Sequence, residues 1–204
     1  MHKGSIIVVS GPSGAGKGTV ISRLLTQCRD IFFSVSVTTR GMRPGEVEGV
    51  HYHFISEREY DEILSADAFL ETAEVHGCHY GTPAVPVLNA VGNGHDALLD
   101  IDVQGASQVM ARCPEAVTVF LMPPSLQELE KRLRGRNTET EEKVLKRLSN
   151  ARREVLEASR YQYVIVNDQL DDAVAQLKAV ILASRHRTQT NRDQLNQIIS
   201  TFQA

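Results

Sequence analysis

The segment that most constrains this chain is the glycine-rich run at residues 11–19. The β-branched run at residues 6–9 predicts a buried strand before it, and apolar residues recur at helical spacing over residues 20–25. A glycine-rich turn between a strand and a helix can cradle phosphate groups, because its N–H groups and the helix N-terminus point at anionic oxygens. The alternative is a glycine-rich turn with one surface lysine. We predict a phosphate-binding loop formed by Gly11, Pro12, Ser13, Gly14, Ala15, Gly16, Lys17, Gly18 and Thr19.

The end of this run departs from the usual phosphate-loop pattern. Lys17 is suited to bridge the β- and γ-phosphates of a nucleotide as a point charge. The next residue is Gly18, where a serine or threonine normally supplies a hydroxyl to magnesium, and Thr19 follows one place later. Either the Thr19 hydroxyl or water is therefore expected to take that position on Mg²⁺.

Composition limits the classes of protein to which the chain can belong. Its 204 residues suit one α/β domain, and the net charge of −3 argues against nucleic acid as the main partner. The three cysteines are widely spaced and odd in number, which favours a reduced cytoplasmic setting. The first strand begins near residue 5, which leaves no room for a cleavable signal, and no apolar run approaches membrane-spanning length. We expect a cytoplasmic protein with no membrane partner.

Strand and helix patterns alternate along the chain, which predicts an α/β fold with a doubly wound parallel sheet. Further strands are predicted at residues 34–39, 51–55, 69–75, 97–101, 117–121 and 163–166. Further helices are predicted at residues 56–66, 84–91, 104–111, 125–133, 138–156 and 170–184, three of them opened by capping boxes at Ser56, Ser125 and Thr138.

The order of these elements predicts one domain over residues 1–204, with an insertion and a tail. The core comprises residues 1–33, 92–124 and 158–184, and residues 34–91 form a mixed insert. Residues 125–157 form a helical segment, and residues 185–204 form a polar tail with an apolar stripe at Leu195, Ile198, Ile199 and Phe202. We expect this stripe to pack on the protein's own core; a dimer contact is the alternative.

Several motifs outside the phosphate loop resemble those of guanylate kinases in order and spacing. They are Ser36-Val-Thr-Thr-Arg40, Arg43-Pro-Gly-Glu46, Tyr52, Glu71, Tyr80-Gly-Thr82, Asp100-Ile-Asp102-Val-Gln-Gly105, Arg132-Leu-Arg-Gly-Arg136, Arg147 and Val166-Asn-Asp168. The resemblance covers the chain to about residue 184. It implies a P-loop kinase fold, a GMP-binding role for the insert at residues 34–91, and a mobile lid at residues 125–157.

The resemblance also implies which residues bind GMP. Glu71 and Asp102 read the guanine, helped by the hydroxyls of Ser36 and Thr82. Guanine presents two donors, N1–H and the 2-amino group, whereas adenine has an acceptor at N1, so carboxylates favour guanine. The phosphate is a dianion suited to forked hydrogen bonds from arginine. The remaining residues that the resemblance assigns to GMP are Arg40, Arg43, Glu46, Tyr52, Tyr80 and Asp100.

For the ATP side, the resemblance implies that arginines of the lid close on the phosphates. These are Arg132, Arg136 and Arg147, and with Lys17 and Arg40 they make up the expected catalytic set. Lid arginines paired with Glu128, Glu139 or Glu142 are the alternative. Asp100 and Thr19 are the expected magnesium ligands, and Asn167 the expected adenine contact.

Together these features predict Mg²⁺-dependent transfer of the ATP γ-phosphoryl group to GMP, by a monomer or homodimer. Two alternatives remain: a kinase of another monophosphate, of the adenylate or ribosyl bisphosphate type, and a non-catalytic binding module of the same fold. His51, His53, His76 and His79 lie in the insert without further ligand spacing, so a metal site formed by these histidines is not expected.

Overall fold

The computed structural model describes residues 3–28, 30–75, 77–135 and 140–203. Its strands are β1 (Ile6–Ser10), β2 (Ile31–Phe33), β3 (Val37–Thr38), β4 (His53–Phe54), β5 (Phe69–Val75), β6 (Cys78–Pro83), β7 (Asp96–Asp100), β8 (Val117–Met122) and β9 (Tyr163–Val166). Its α-helices are α1 (Lys17–Gln27), α2 (Glu57–Ser65), α3 (Ala84–Gly92), α4 (Val103–Arg112), α5 (Leu126–Arg134), α6 (Glu141–Glu154), α7 (Leu170–Ser184) and α8 (Arg192–Thr201). A 3-10 helix spans Val155–Arg160.

The central sheet is parallel and has the order β2-β7-β1-β8-β9 within the described residues. Alternate residues of β1 enter two different apolar clusters, since side chains of a strand point to opposite faces. Ile6 and Val8 pack with residues of α3 and α4, whereas Ile7 and Val9 pack with residues of α1 and α7. Helices therefore cover both faces of the sheet, and the predicted doubly wound α/β class is confirmed.

The insert forms a second, mixed sheet with the order β4-β3-β6-β5. Strand β3 pairs parallel with β4 and antiparallel with β6, and β5 pairs antiparallel with β6. The capping box predicted at Ser56 is present: the Ser56 hydroxyl accepts from the Glu59 N–H, and the Glu59 carboxylate accepts from the Ser56 N–H. Tyr60 of α2 packs against Phe69 and Val37. This sheet presents β5, with Glu71, as its edge.

The helical segment predicted to be a lid has an apolar cluster of its own, formed by Leu129, Leu133, Val144, Leu148 and Ala151. The predicted capping box at residue 138 lies outside the described residues, and α6 begins at Glu141 after Thr140. The predicted continuation of this helix through Val155 and Leu156 is wrong, because those residues lie in the 3-10 helix.

In the first half of the chain, two predicted strands need correction and two further strands are present. The strands predicted at residues 34–39 and 51–55 are much shorter, Val37–Thr38 and His53–Phe54. Strands β2 and β6 were not predicted. Strand β2 has three residues, too few to show a period, and β6 contains Gly81 and ends at Pro83, residues that are uncommon in strands.

The predicted packing of the tail on the core is wrong. Helix α8 forms, but every one of its residues is exposed, including Leu195, Ile198 and Ile199. The segment before it is held by polar contacts to the end of α7: Thr190 donates to the Ser184 carbonyl, and the Asn191 amide donates to the carbonyls of Arg185 and Arg187. In the described part of the chain, no helix combines the length and apolar character needed to cross a membrane.

Candidate active site

The glycine-rich run forms a loop between β1 and α1, as predicted. Gly11 has φ = 146°, and a Cβ atom there would lie 2.0 Å from the Leu121 carbonyl oxygen, so only glycine fits beside β8. Gly14 has φ = 94°, and a Cβ there would lie 2.8 Å from methyl carbons of both Leu129 and Leu133 in the lid. The loop is thus packed against the central sheet on one side and against the lid on the other.

A cavity of about 590 Å³ opens above this loop. The Lys17 ammonium lies at its floor and donates to the Gly11 carbonyl at 2.9 Å. Four parts of the chain line the cavity: the phosphate loop, the end of β7, α6 and the insert. Its lining residues are Pro12, Ser13, Gly14, Gly16, Lys17, Gly18, Thr19, Tyr52, Asp100, Ile101, Asp102 and Arg147.

The two predicted magnesium ligands, Thr19 and Asp100, both line this cavity. Burial raises the pKa of the Asp100 carboxyl, and the positive charge of Lys17 partly offsets that rise. Gly18 is exposed in the first turn of α1, and a Cβ there meets no atom within 4 Å. A serine would therefore fit at residue 18, so its absence is not imposed by packing.

Ser13 of the phosphate loop is held by α6. The Arg147 guanidinium donates to the Ser13 hydroxyl at 2.6 Å and 3.2 Å. Glu154 lies two turns further along α6; burial raises the pKa of its carboxyl, and a hydrogen bond from the Ser13 backbone N–H opposes the rise. The sequence did not single out Glu154, because a glutamate on a charged amphipathic helix gives no signal of its own.

Asn167 supports the phosphate loop from the end of β9. Its side-chain amide donates to the Ala15 carbonyl at 2.8 Å, and the residue is 6% exposed. A Cβ at Gly16 would lie 2.5 Å from the Asn167 amide nitrogen. The contact gives Asn167 a structural role in the loop, and its predicted contact with adenine stays a prediction.

In the insert, Arg40 is held by a forked ion pair. Its guanidinium donates to both carboxylate oxygens of Glu46 at 2.9 Å, and its Nε donates to the Tyr80 hydroxyl at 3.1 Å. The Tyr52 ring faces the guanidinium at 5.4 Å. Arg40, followed by the backbone N–H of Arg43, lowers the pKa of Glu46 to about 2. Glu46, predicted to bind GMP, here acts as the partner that orients Arg40, and the Arg43 side chain is exposed.

The polar side chains predicted to recognise the base form a second group; we call Ser36, Glu71, Thr82 and Asp102 the acceptor cluster. Glu71 is 4% exposed and its carboxylate accepts from the Thr82 hydroxyl at 2.5 Å, while the Ser36 and Thr82 hydroxyls are 3.3 Å apart. Burial raises the pKa of Glu71, the Thr82 bond opposes the rise, and the charge of Asp102 adds to it. One Asp102 oxygen caps α4 by accepting from the Gly105 N–H at 2.8 Å.

The predicted lid arginines have different surroundings. Arg132 donates to Glu128 at 3.0 Å, one turn earlier on α5, which is the ion-pair alternative named above. Arg136 lies outside the described residues. Only Arg147 lines the cavity among the lid arginines that the structure describes.

The three insert histidines that the structure describes, His51, His53 and His79, do not line this cavity. The His53 ring contacts Glu48 at 2.9 Å, His51 accepts from the Val47 N–H at 3.0 Å, and the His79 ring stacks on Tyr60. His76 lies outside the described residues. Within the described ranges, no three metal-binding side chains converge.

Comparisons with known proteins agree on one family. The family model for guanylate kinase matches residues 3–184. Guanylate kinase of Carboxydothermus hydrogenoformans is 47% identical over 91% of this chain and 91% of its own. That of Symbiobacterium thermophilum is 49% identical over 93% of this chain and 90% of its own. The crystal structure of guanylate kinase from Anaplasma phagocytophilum superposes with a TM-score of 0.76 at 36% identity, covering 92% of this chain and 89% of that one. By these matches and by the geometry of its site, the chain belongs to the guanylate kinase family.

Proposed function

We propose that the protein transfers the γ-phosphoryl group of ATP to GMP, giving ADP and GDP. The observation that carries this proposal is the shared cleft: Asp102 of the acceptor cluster and Tyr52 of the insert line the same cavity as the phosphate loop. A base held at the acceptor cluster and a nucleotide held at the loop can therefore meet across one space. The family match over residues 3–184 supports the same activity.

The acceptor cluster suits guanine because both of its carboxylates can accept hydrogen bonds. The bonds from the Thr82 hydroxyl and the Gly105 N–H each use one oxygen of these carboxylates. In this proposal the second oxygens accept from the guanine N1–H and 2-amino group. Adenine places a lone pair at N1 instead, which repels a carboxylate. Leaving a buried acceptor unpaired costs about 1–3 kcal/mol, and more when it is charged, so AMP is strongly disfavoured.

The GMP phosphate is assigned to Arg40 and Arg43, with the hydroxyls of Tyr52 and Tyr80. Arg40 already presents a fixed guanidinium, since Glu46 and Tyr80 both hold it. Because Glu46 takes the fork of Arg40, Arg40 meets the phosphate through its remaining N–H and its charge. The forked geometry that matches a phosphate dianion is assigned to Arg43. The exposed Arg43 side chain is able to fold over the phosphate from the outer side.

The transfer itself needs no nucleophilic side chain, because a phosphate oxygen of GMP attacks the γ-phosphorus of ATP. The chain's contribution is positioning and charge stabilisation. Lys17 holds the β- and γ-phosphates. Arg147 gives up its hydrogen bond to Ser13 and stabilises the negative charge on the transferring group. Arg132 and Arg136 are assigned the same role, and closure of the lid excludes water.

The donor set also suits Mg²⁺, a hard cation that prefers oxygen ligands. The partly buried Asp100 carboxylate and the Thr19 hydroxyl line the cavity near Lys17. Asp100 would hold the ion there, and the Thr19 hydroxyl would take the role that a hydroxyl at residue 18 usually has. Bound with ATP, the ion would supply positive charge that offsets the charge of the phosphates.

A coupled assay of ADP formation tests the proposal, with ATP and Mg²⁺ fixed and GMP, AMP, CMP and UMP offered in turn. We expect turnover with GMP alone, and we expect Lys17→Ala to abolish it while the circular dichroism spectrum stays unchanged. A preference for AMP contradicts the assignment of Glu71 and Asp102. No turnover with any nucleotide, in a protein that still binds ATP, favours the binding-module alternative.

A further inference from the structure

Helix α4 docks on the edge of the insert sheet through one glutamine. The Gln108 side chain accepts from the Thr72 N–H at 3.1 Å and donates to the Thr72 carbonyl at 2.6 Å. It thus pairs with both backbone groups of one residue, as a neighbouring strand does. Thr72 lies in β5, the edge strand, directly after Glu71. The position of the Glu71 backbone is therefore tied to the helix that begins at Asp102.

Gly105 lies one turn before Gln108 and directly against the Glu71 side chain. A Cβ at Gly105 would lie 2.3 Å from one Glu71 carboxylate oxygen and 2.9 Å from its carboxyl carbon. The Gly105 N–H also donates to Asp102. Any side chain at this position therefore displaces the Glu71 carboxylate from its place above the first turn of α4.

We propose that Gln108 and Gly105 are positioning residues for guanine recognition, a role that rests on the proposed function. Gln108 fixes the distance between β5 and α4, and Gly105 provides the space in which the Glu71 carboxylate lies near Asp102. Because Asp102, Gly105 and Gln108 are spaced three residues apart, they share one face of the helix N-terminal half. This face of α4 therefore sets the distance between the carboxylates of Glu71 and Asp102, which accept hydrogen bonds from guanine.

A purely structural role for Gln108 has a different signature. Satisfying the backbone of an edge strand stabilises the insert, and its loss lowers the melting temperature. Lower stability does not by itself change the KM for GMP while the KM for ATP stays the same. If Gln108 acts by positioning Glu71, its loss raises the KM for GMP. The same loss has no further effect on that KM in a protein whose Glu71 is already replaced by glutamine.

The first experiment compares Gln108→Ala with Gln104→Ala, an exposed glutamine on the same helix. We expect Gln108→Ala to raise the KM for GMP about tenfold, since two hydrogen bonds that fix the strand are lost. The KM for ATP and kcat at saturating GMP stay within about twofold, and Gln104→Ala behaves as wild type. An unchanged KM for GMP in folded Gln108→Ala contradicts the proposal.

The second experiment uses Gly105→Ala, in which the added methyl group meets the far end of a flexible side chain and so leaves the fold intact. We expect the KM for GMP to rise by roughly tenfold or more. In a Glu71→Gln background, the effects of Gly105→Ala and Gln108→Ala on that KM shrink to within about twofold. If Gly105→Ala and Gln108→Ala raise the KM for GMP as much in the Glu71→Gln background as in the wild type, the proposal is overturned.

These outcomes separate this proposal from the proposed function. If the wild-type protein does not prefer GMP over AMP, the proposed function itself fails. If it prefers GMP and both variants keep the wild-type KM, only the positioning role fails. Should Gln108→Ala unfold, Gly105→Ala alone decides, with the same two results.

Discussion

The acceptor cluster and the lid arginines are built in opposite ways. Glu71 and Thr82 lie on paired strands, are 4% and 0% exposed, and hold each other at 2.5 Å. Arg132 lies on a short helix with a quarter of its side chain exposed, and it contacts a glutamate of the same helix. The first arrangement is fixed by its own hydrogen bonds, whereas under the proposed function the second has to exchange partners before it reaches a phosphate.

This difference follows from what each region must do. Selecting a base requires acceptors held in a fixed geometry, because rejection of the wrong base depends on leaving them unpaired. Stabilising a transferring phosphoryl group requires charge that arrives after the substrates have entered, because an open cleft is needed first. We infer that the insert supplies preorganised recognition and that the lid supplies charge on closure.

The largest effect is expected for Arg147→Ala. Removing a cation that meets the transferring group lowers kcat by about 100- to 1,000-fold. The KM for GMP changes little, because the acceptor cluster is untouched. Steady-state kinetics with both substrates varied, and Arg152→Ala on the same helix as the control, measure this. A normal kcat in Arg147→Ala makes the contact with Ser13 purely structural.

Glu71→Gln is the matching change in the acceptor cluster. It keeps the shape and the bond from Thr82 but removes the charge, so the KM for GMP rises by about 10- to 100-fold, from a loss of about 1.5–3 kcal/mol. The KM for ATP is unaffected. Equal losses for both substrates in an assay that varies each in turn contradict a role in base recognition.

The same variant is expected to be more stable at neutral pH. Burial raises the pKa of Glu71 above 4.5, so wild-type stability falls as pH rises from 4.5 through that raised pKa. The glutamine has no charge to bury and does not show the fall. Thermal unfolding of both proteins between pH 4 and 8 measures the difference in stability between the variant and the wild type. We expect this difference to increase as pH rises. A difference in stability that does not change with pH contradicts the raised pKa of Glu71.

Glu46→Gln has a smaller effect, because the glutamine still accepts one hydrogen bond from Arg40. The KM for GMP is expected to rise about three- to tenfold as the guanidinium loses its fixed orientation. With a pKa of about 2, Glu46 contributes stability above pH 4.5 that is lost as pH falls toward 2, so the difference in melting temperature closes over that window. Glu74→Gln on β5 is the control, and a lower KM in Glu46→Gln shows that Glu46 competes with the phosphate.

The smallest effect is expected for Glu128→Gln. Its pair with Arg132 spans one helical turn and is partly exposed, and such pairs contribute about 0.3–0.5 kcal/mol. Activity stays within about twofold of wild type, and the melting temperature shifts by no more than about 2 °C. A large loss of activity shows that Glu128 orients Arg132 in the closed state.

The sequence predicted the parts of the molecule that depend on local patterns. Strand β1, the phosphate loop and α1 adjoin in sequence, and β5, β9 and α7 have the predicted bounds. The assignment of Glu71 and Thr82 came from the resemblance alone, since neither residue type marks a site. The pairs Arg40–Glu46, Arg147–Ser13 and Gln108–Thr72 were not predictable. The sequence offers several possible partners for each of these side chains and does not select one of them.

A crystal structure with GMP and a non-hydrolysable ATP analogue tests the central claim most directly. We expect the Glu71–Thr82 bond, the Gln108–Thr72 pair and the backbone around them to stay in place, with the base donors on Glu71 and Asp102. We expect Arg132 and Arg147 to have left Glu128 and Ser13 for phosphate oxygens. An acceptor cluster that rearranges around the base, or lid arginines that keep their present partners, contradicts the account.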